Sequence, residues 1–214
     1  MKKVRIGGGA GYAGDRIDPA IKLIEEGKLD YIIFECLAER TIGLAKQKML
    51  KDSSKGYSRL LEYRMSQVLK VAKENNVKII SNMGAVNPKG AVKKIMEIAQ
   101  EQGLHGIKFA YVTGDDAYDR VQEHYDDEIF EFPGKVGDYQ DRIVSANAYI
   151  GAAGIMEALK NGAEVIITGR VSDPTLTVAP LCYEYGWTIE ENPIELGQCV
   201  LAGHLIECGG QVTG

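Results

Sequence analysis

The sequence holds no C-x-x-C pair: Cys36, Cys182, Cys199 and Cys208 stand singly, and in a cytosolic chain such thiols are reduced rather than bridged. Positive charge is not in excess either. With 25 Lys and Arg against 30 Asp and Glu the net charge is -5, so no basic stripe follows a phosphodiester backbone and nucleic acid is excluded as a partner. No apolar run approaches the roughly 20 residues that cross a bilayer. Residues 1–6 lead straight into a strand-like segment, without the stretch of about 7 or more apolar residues of a secretion signal. The expectation is a cytoplasmic chain with no membrane partner. Internal repeats and low-complexity segments are also missing.

What is present suits a folded globule: 45% apolar residues, with 26% charged residues spread along the chain, a balance that excludes wholesale disorder. A length of 214 residues buries one sizeable core, and a single α/β domain over 1–214 is expected.

Short apolar runs alternate with helical patterns. Residues 4–8 read as a strand opening into the glycine run Gly7, Gly8, Gly9, Ala10, Gly11, a mobile or substrate-covering loop. Asp18 before Pro19 starts a helix, with Asp as cap and Pro where its missing N–H is harmless, and Gly27 ends it. Residues 30–36 form a continuous apolar strand of the kind covered on both faces, flanked at its exit by Glu35 and Glu39. Helices are expected over 41–51 and 57–75, a strand over 77–81, a helix over 91–102 and a strand over 107–112. Residues 118–141 are charged and irregular, with one short strand at 128–132. A helix over 146–160, a strand over 165–168, a last helix over 194–207 and the glycines Gly209 and Gly210 complete the chain.

Strands alternating with helices point to an α/β fold: a mostly parallel sheet flanked by helices, a three-layer sandwich of Rossmann-like or flavodoxin-like type, with a partial (β/α) barrel as the alternative. Ligands of such sheets sit outside the carboxyl ends of the strands. Glycine, acid and amide clusters follow all five expected strands there, so the expected partner is a small-molecule substrate.

Several constellations carry chemistry. Gly9, Gly11 and Gly14 satisfy G-x-G-x-x-G, and Glu35 at the next strand end matches the acid that holds a ribose, so an NAD(P)-dependent oxidoreductase is one reading. Against it, Asp15, Arg16, Ile17, Asp18 and Pro19 put the helix start beyond the last glycine. Asp15 also joins Gly9 and Gly11 as a candidate substrate contact. Asp115 and Asp116 can ligate a divalent metal, or one can act as general base; either can equally cap a helix before Tyr118. Glu39 is a further proton carrier. Arg170 offers a planar cation to a carboxylate or phosphate, with Asp173 holding it, or forms a structural ion pair. Asn82, Asn87 and Asn147 supply neutral donors and acceptors, and are also ordinary turn residues. His204 and Cys208 share a helix face, as metal ligands or as base and nucleophile. His105 and His124 fall in no pattern.

The segments Leu37-Ala38-Glu39, Asn82-Met83-Gly84-Ala85-Val86-Asn87-Pro88, Gly114-Asp115-Asp116, Asn147-Ala148-Tyr149-Ile150-Gly151, Thr168-Gly169-Arg170-Val171-Ser172-Asp173-Pro174 and Ala202-Gly203-His204-Leu205-Ile206-Glu207-Cys208-Gly209 together resemble the acyclic terpene utilisation (AtuA-type) family over nearly the whole chain. The resemblance implies bacterial catabolism of acyclic terpenes and related branched acids, with intermediates carried as coenzyme A thioesters. Joined to the strand-end cluster, it points to an enzyme of lyase or hydratase type, working by hydration, elimination or carbon–carbon cleavage. It carries no catalytic assignment to transfer. Family members continue beyond Gln211-Val212-Thr213-Gly214, which implies a fragment or one half of a split protein. The second reading is accordingly a non-catalytic binding or assembly subunit that needs a partner chain, or a homo-oligomer, marked by exposed apolar surface near Val200, Leu201 and Leu205.

Overall fold

The apolar runs become five parallel strands: β1 (Ile6–Ala10), β2 (Tyr31–Phe34), β3 (Lys78–Ser81), β4 (Phe109–Val112) and β5 (Val165–Thr168), in the spatial order β1-β2-β3-β5-β4. The computed structural model describes residues 2–209, so the glycine-rich end at 210–214, including Gly210, lies outside the described residues. The sheet is open, with β1 and β4 at its edges, and the alternative of a partial barrel is corrected on that ground.

Side chains alternate between two cores, as the pleat requires. Ile32, Phe34, Ile79, Val165 and Ile167 face helices α1 (Asp18–Glu26), α3 (Leu61–Glu74) and α4 (Pro88–Glu101). Tyr31, Ile33, Ile80 and Ile166 face α5 (Ala153–Lys160), α6 (Thr175–Tyr185) and the end of α7 (Pro193–Glu207). This is a three-layer α/β arrangement. The remaining helix, α2 (Glu39–Lys51), packs Ile42 and Ala45 on Leu37 and Ala85, in the loops that leave β2 and β3. It therefore roofs the carboxyl edge.

The chain runs β1, β2, β3 in one direction, skips one position to β4, then turns back to insert β5. The helix after β3 covers one face and the helix after β5 covers the other. The exits of β3 and β5 thus border the topological switch point, the crevice in which ligands of open α/β sheets bind. They approach closely: a Cβ on Gly84 would lie 2.5 Å from the Thr168 carbonyl oxygen.

Some local readings change. The glycine run is largely strand: a Cβ on Gly7 would meet Leu29 at 2.6 Å and one on Gly9 would meet Phe34 at 2.5 Å, so those glycines admit neighbouring side chains rather than flex. Asp18 is not a cap; Ile17 holds that position and the Asp18 carboxylate pairs with Arg16 at 2.6 Å. The helix expected from 146 begins only at Ala153, because Asn147 bridges to Asp116 and Ile150 to Val171. The strand expected at 128–132 reduces to one bridge, Glu128 to Lys135. Helix α6 was not anticipated. It is mostly apolar, has no amphipathic stripe and carries Pro180 inside, a residue that removes a helical hydrogen bond.

Two glycine substitutions of opposite sign test this packing. Gly84→Ala is expected to cost about 1–3 kcal/mol, because its methyl meets backbone that cannot yield. Gly43→Ala, on α2 with nothing within 4 Å of its Cβ position, is expected to stabilise by roughly 0.5–1 kcal/mol. Urea unfolding midpoints check both, and equal shifts would contradict the close approach at Gly84.

Candidate active site

The exits of β2 and β3 meet first. Asn82 follows β3 with no exposed surface. Its Nδ2 donates to Glu35 Oε1 and its Oδ1 accepts from the Cys36 amide at 2.8 Å. The Leu37 amide adds a longer bond to the same Glu35 oxygen, at 3.3 Å. Glu35 is 5% exposed, and its other oxygen, Oε2, is buried without a hydrogen-bond partner. Burial pushes its carboxyl up to about 7, against the lowering effect of Asn82, the Leu37 amide and the Arg170 charge. A carboxyl balanced near neutrality can give or take a proton.

The exits of β4 and β5 are tied by Asp115. Its buried Oδ2 accepts from the Arg170 amide at 2.8 Å and from Asn147 Nδ2 at 3.0 Å. Gly169 is required there, since a Cβ would lie 2.5 Å from both carboxylate oxygens. Asp116 turns outward, accepts from the Tyr118 amide at 3.0 Å and lies 3.7 Å from Lys46. It stands one residue before Ala117, which holds the cap position of a short 3-10 helix at Tyr118–His124.

Arg170 joins the two halves. Its buried guanidinium donates to the Leu37 carbonyl at 2.6 Å and to Asp173 at 2.5 Å, lies 3.8 Å from Glu39, and stacks 3.8 Å from the centre of the Tyr149 ring. Its Nε is buried without a partner. Tyr149 donates its hydroxyl to Glu39, and this bond holds the exposed Glu39 carboxyl below its ordinary range. Glu35, Leu37, Glu39, Arg170, Asp173 and Glu207 line a cleft of about 410 Å³.

Other candidates fall elsewhere. Asn87 caps α4, accepting from the Gly90 amide at 2.9 Å and donating to the Lys55 carbonyl at 2.8 Å. In the glycine loop, the Gly11 and Tyr12 amides donate to Asp15 at 2.6 and 3.1 Å, so amides that would face a phosphate are engaged within the loop. A Cβ on Gly11 would lie 2.0 Å from the Cys208 carbonyl oxygen at the end of α7. Gly9 and Asp15 border a separate cleft of about 460 Å³. Cys208 donates to Glu207 at 3.0 Å, and this bond pushes its thiol up to about 11, which works against a thiolate nucleophile. His204 instead comes together with Asp173 and Glu207, their ligand atoms all within 4.8 Å of one another. Neither Asp115, Asp116 nor Cys208 joins that group.

Three contributors are not marked by the sequence for the parts they play: Glu35 reads as a ribose acid, Tyr149 falls in an expected helix, and Arg64 carries no signal of its own. Arg64 is 1% exposed and donates to the Asp15 carbonyl at 2.9 Å and to Cys36 Sγ at 3.1 Å, bracing the glycine loop from below.

The raised carboxyl has a signed consequence. Because Glu35 is favoured in its protonated form when folded, it contributes stability below its ordinary value of 4.5 that is lost as pH rises through about 7. The loss across that window is on the order of 3 kcal/mol. Glu35→Gln is expected to remove this slope, leaving the variant more stable than wild type at pH 8 in urea titrations. Parallel pH profiles for the two proteins would contradict the buried carboxyl.

Neither the curated proteins nor the solved structures provide a significant match. The model of the family described as acyclic terpene utilisation family protein AtuA matches residues 4–214. It spans every strand and helix that builds the cleft, and on that extent the chain belongs to the acyclic terpene utilisation family AtuA.

Proposed function

We propose that the chain is an enzyme of small-molecule catabolism that takes a branched carboxylic acid as its coenzyme A thioester and moves a proton at the acyl group, in a hydration or elimination. The observation that carries this reading is Glu35: one oxygen is fixed by Asn82, the other is buried without a partner, and the residue lines the cleft. Its raised carboxyl suits removal of the proton α to a thioester carbonyl and its delivery to a departing β-hydroxyl, which leaves as water; hydration runs the same steps in reverse. Arg170 is engaged by Leu37 and Asp173, so its role is to hold the β2 exit and add positive charge beside Glu35 rather than to grip a free carboxylate. Glu39, paired with Tyr149, is the second carboxyl available to the substrate.

The thioester is favoured over the free acid by the run of clefts along the carboxyl edge. The Glu35 cleft shares Cys36, Leu37 and Thr41 with an apolar one of about 100 Å³, and that one shares Tyr57 with a basic one of about 590 Å³. The basic cleft holds Lys55, Lys89 and Lys93, with Lys94 paired to Glu97 at 2.6 Å, beside Tyr57 and Tyr111 at the start of α4. Lysines at a helix N-terminus suit phosphates, tyrosines suit an adenine ring, and the apolar middle suits a pantetheine arm. In a chain of net charge -5 this concentration of lysine stands out.

A second reading rests on α7, where Ile194, Leu201 and Leu205 are 73%, 63% and 56% exposed at helical spacing. A partner chain or second copy would cover that stripe. Leu201→Glu with Leu205→Glu is then expected to convert an oligomer to a monomer in light scattering; a wild-type monomer with full turnover would remove this reading.

Thermal shifts and turnover with branched acyl thioesters test the main one. The thioester is expected to raise the midpoint where the free acid does not, and Lys89→Glu with Lys93→Glu to weaken that response. Glu35→Gln is expected to keep binding within a few fold while lowering turnover by about 100-fold or more. Equal responses to acid and thioester, or a fully active Glu35→Gln, would contradict it.

A further inference from the structure

We propose that Asp173, His204 and Glu207 form a binding site for a divalent first-row metal ion at the mouth of the Glu35 cleft. Asp173 lies between β5 and α6, while His204 and Glu207 are three residues apart near the end of α7, on one helix face. Their ligand atoms lie within 4.8 Å of one another, an arrangement that modest side-chain rotation closes onto one ion at about 2.0–2.2 Å from each ligand. Asp173 gives Oδ1 to Arg170, and a carboxylate can bridge a guanidinium and a metal through its two oxygens. The guanidinium then orients the ligand, as hydrogen-bonding neighbours of metal ligands do.

A second observation points to a cation independently. Glu35 Oε2 is buried and accepts from no donor, on the wall of the cleft that Asp173 and Glu207 also line. A buried carboxyl oxygen left without a partner is costly; in the metal-free chain protonation offsets that cost, and a cation in the cleft, or a water bound to it, satisfies the ionised oxygen instead. The cleft is also short of positive charge. It gathers Glu35, Glu39, Asp173 and Glu207 against Arg40 and Arg170, and Arg170 is already engaged by Leu37 and Asp173.

One imidazole nitrogen with two carboxylates suits Zn²⁺, Mn²⁺, Fe²⁺ or Co²⁺ better than Ca²⁺ or Mg²⁺, which favour all-oxygen ligands. Three protein ligands leave coordination positions open to a carbonyl or hydroxyl oxygen. The site shares the cleft of the proton-transfer reading but does not rest on it, because its occupancy is measured with no substrate present.

The chain is stripped with chelator and titrated with Zn²⁺ by calorimetry and with Co²⁺ by visible absorption. One ion per chain, a Co²⁺ band in the visible and a higher melting midpoint are expected. His204→Ala and Glu207→Gln are each expected to weaken binding at least tenfold. Both residues lie toward the end of α7, and circular dichroism confirms that the variants fold. Absence of saturable binding, or unchanged binding in both folded variants, would overturn the proposal. Metal binding without thioester turnover would leave this site standing and remove the proton-transfer reading; turnover in the stripped chain with no metal binding would do the reverse.

Discussion

The hydrogen bond from the Asn82 carboxamide to Glu35 sets the geometry of the whole carboxyl edge. Asn82 is fully buried and uses both ends of its amide, one on the Glu35 carboxyl and one on the Cys36 backbone. It pins the exit of β2 to the exit of β3 and turns an acid inward that would otherwise reach solvent. Two properties of Glu35 follow, a low-dielectric setting and one oxygen left over for a ligand; burial favours the protonated form, and the Asn82 bond itself pulls the other way. Replacing the amide with an apolar group would leave the Cys36 amide without this partner, at about 1–3 kcal/mol, and Glu35 with only the long bond from the Leu37 amide.

On the other side of the switch point Asp115 does the equivalent work for β4 and β5. Its carboxylate, accommodated by Gly169, takes the Arg170 amide and the Asn147 side chain, so the backbone that presents Arg170 is held rigidly. Arg170 then reaches across to the Leu37 carbonyl. The two pairs of exits become one wall, roofed by α2 and closed at one end by α7. Chemistry that needs a proton carrier, a nearby cation and a cleft of limited size finds them on rigid elements, which is the condition for precise positioning.

Much of this architecture is written locally. The runs at β2 and β5 are continuous and apolar because those strands are covered on both faces; the expected start of α4 at 91 passes over Asn87-Pro88, whose cap and first-turn chemistry begins the helix at Pro88. Parts that depend on distant partners are not legible in the same way. Helix α6 mixes buried and half-buried residues, includes Glu184 and carries Pro180 inside, so it has neither amphipathic period nor clean composition. The stretch before α5 looks helical until Asn147 and Ile150 find bridge partners in other loops. Asn82, Asn147, Asp115 and Arg170 were visible as polar residues at strand ends, but their division into holding and reacting groups was not. Glu35 illustrates why: one of its oxygens is fixed by a residue 47 positions away, and only burial distinguishes it from the exposed Glu39. The grouping of Asp173 with His204 and Glu207 likewise depends on α7 returning over β1, a fact of topology and not of spacing.

The most direct test of the site is the titration of Glu35 itself, followed through its side-chain carboxyl carbon by NMR in ¹³C-glutamate-labelled chain and assigned with Glu35→Gln. A midpoint near 7, falling toward the ordinary carboxylate range in Asn82→Ala only if the pocket then admits water, is the predicted result. A wild-type midpoint near 4.5 would mean that Glu35 is solvated and ionised at neutral pH, and the proton-transfer site argued from its burial would be wrong.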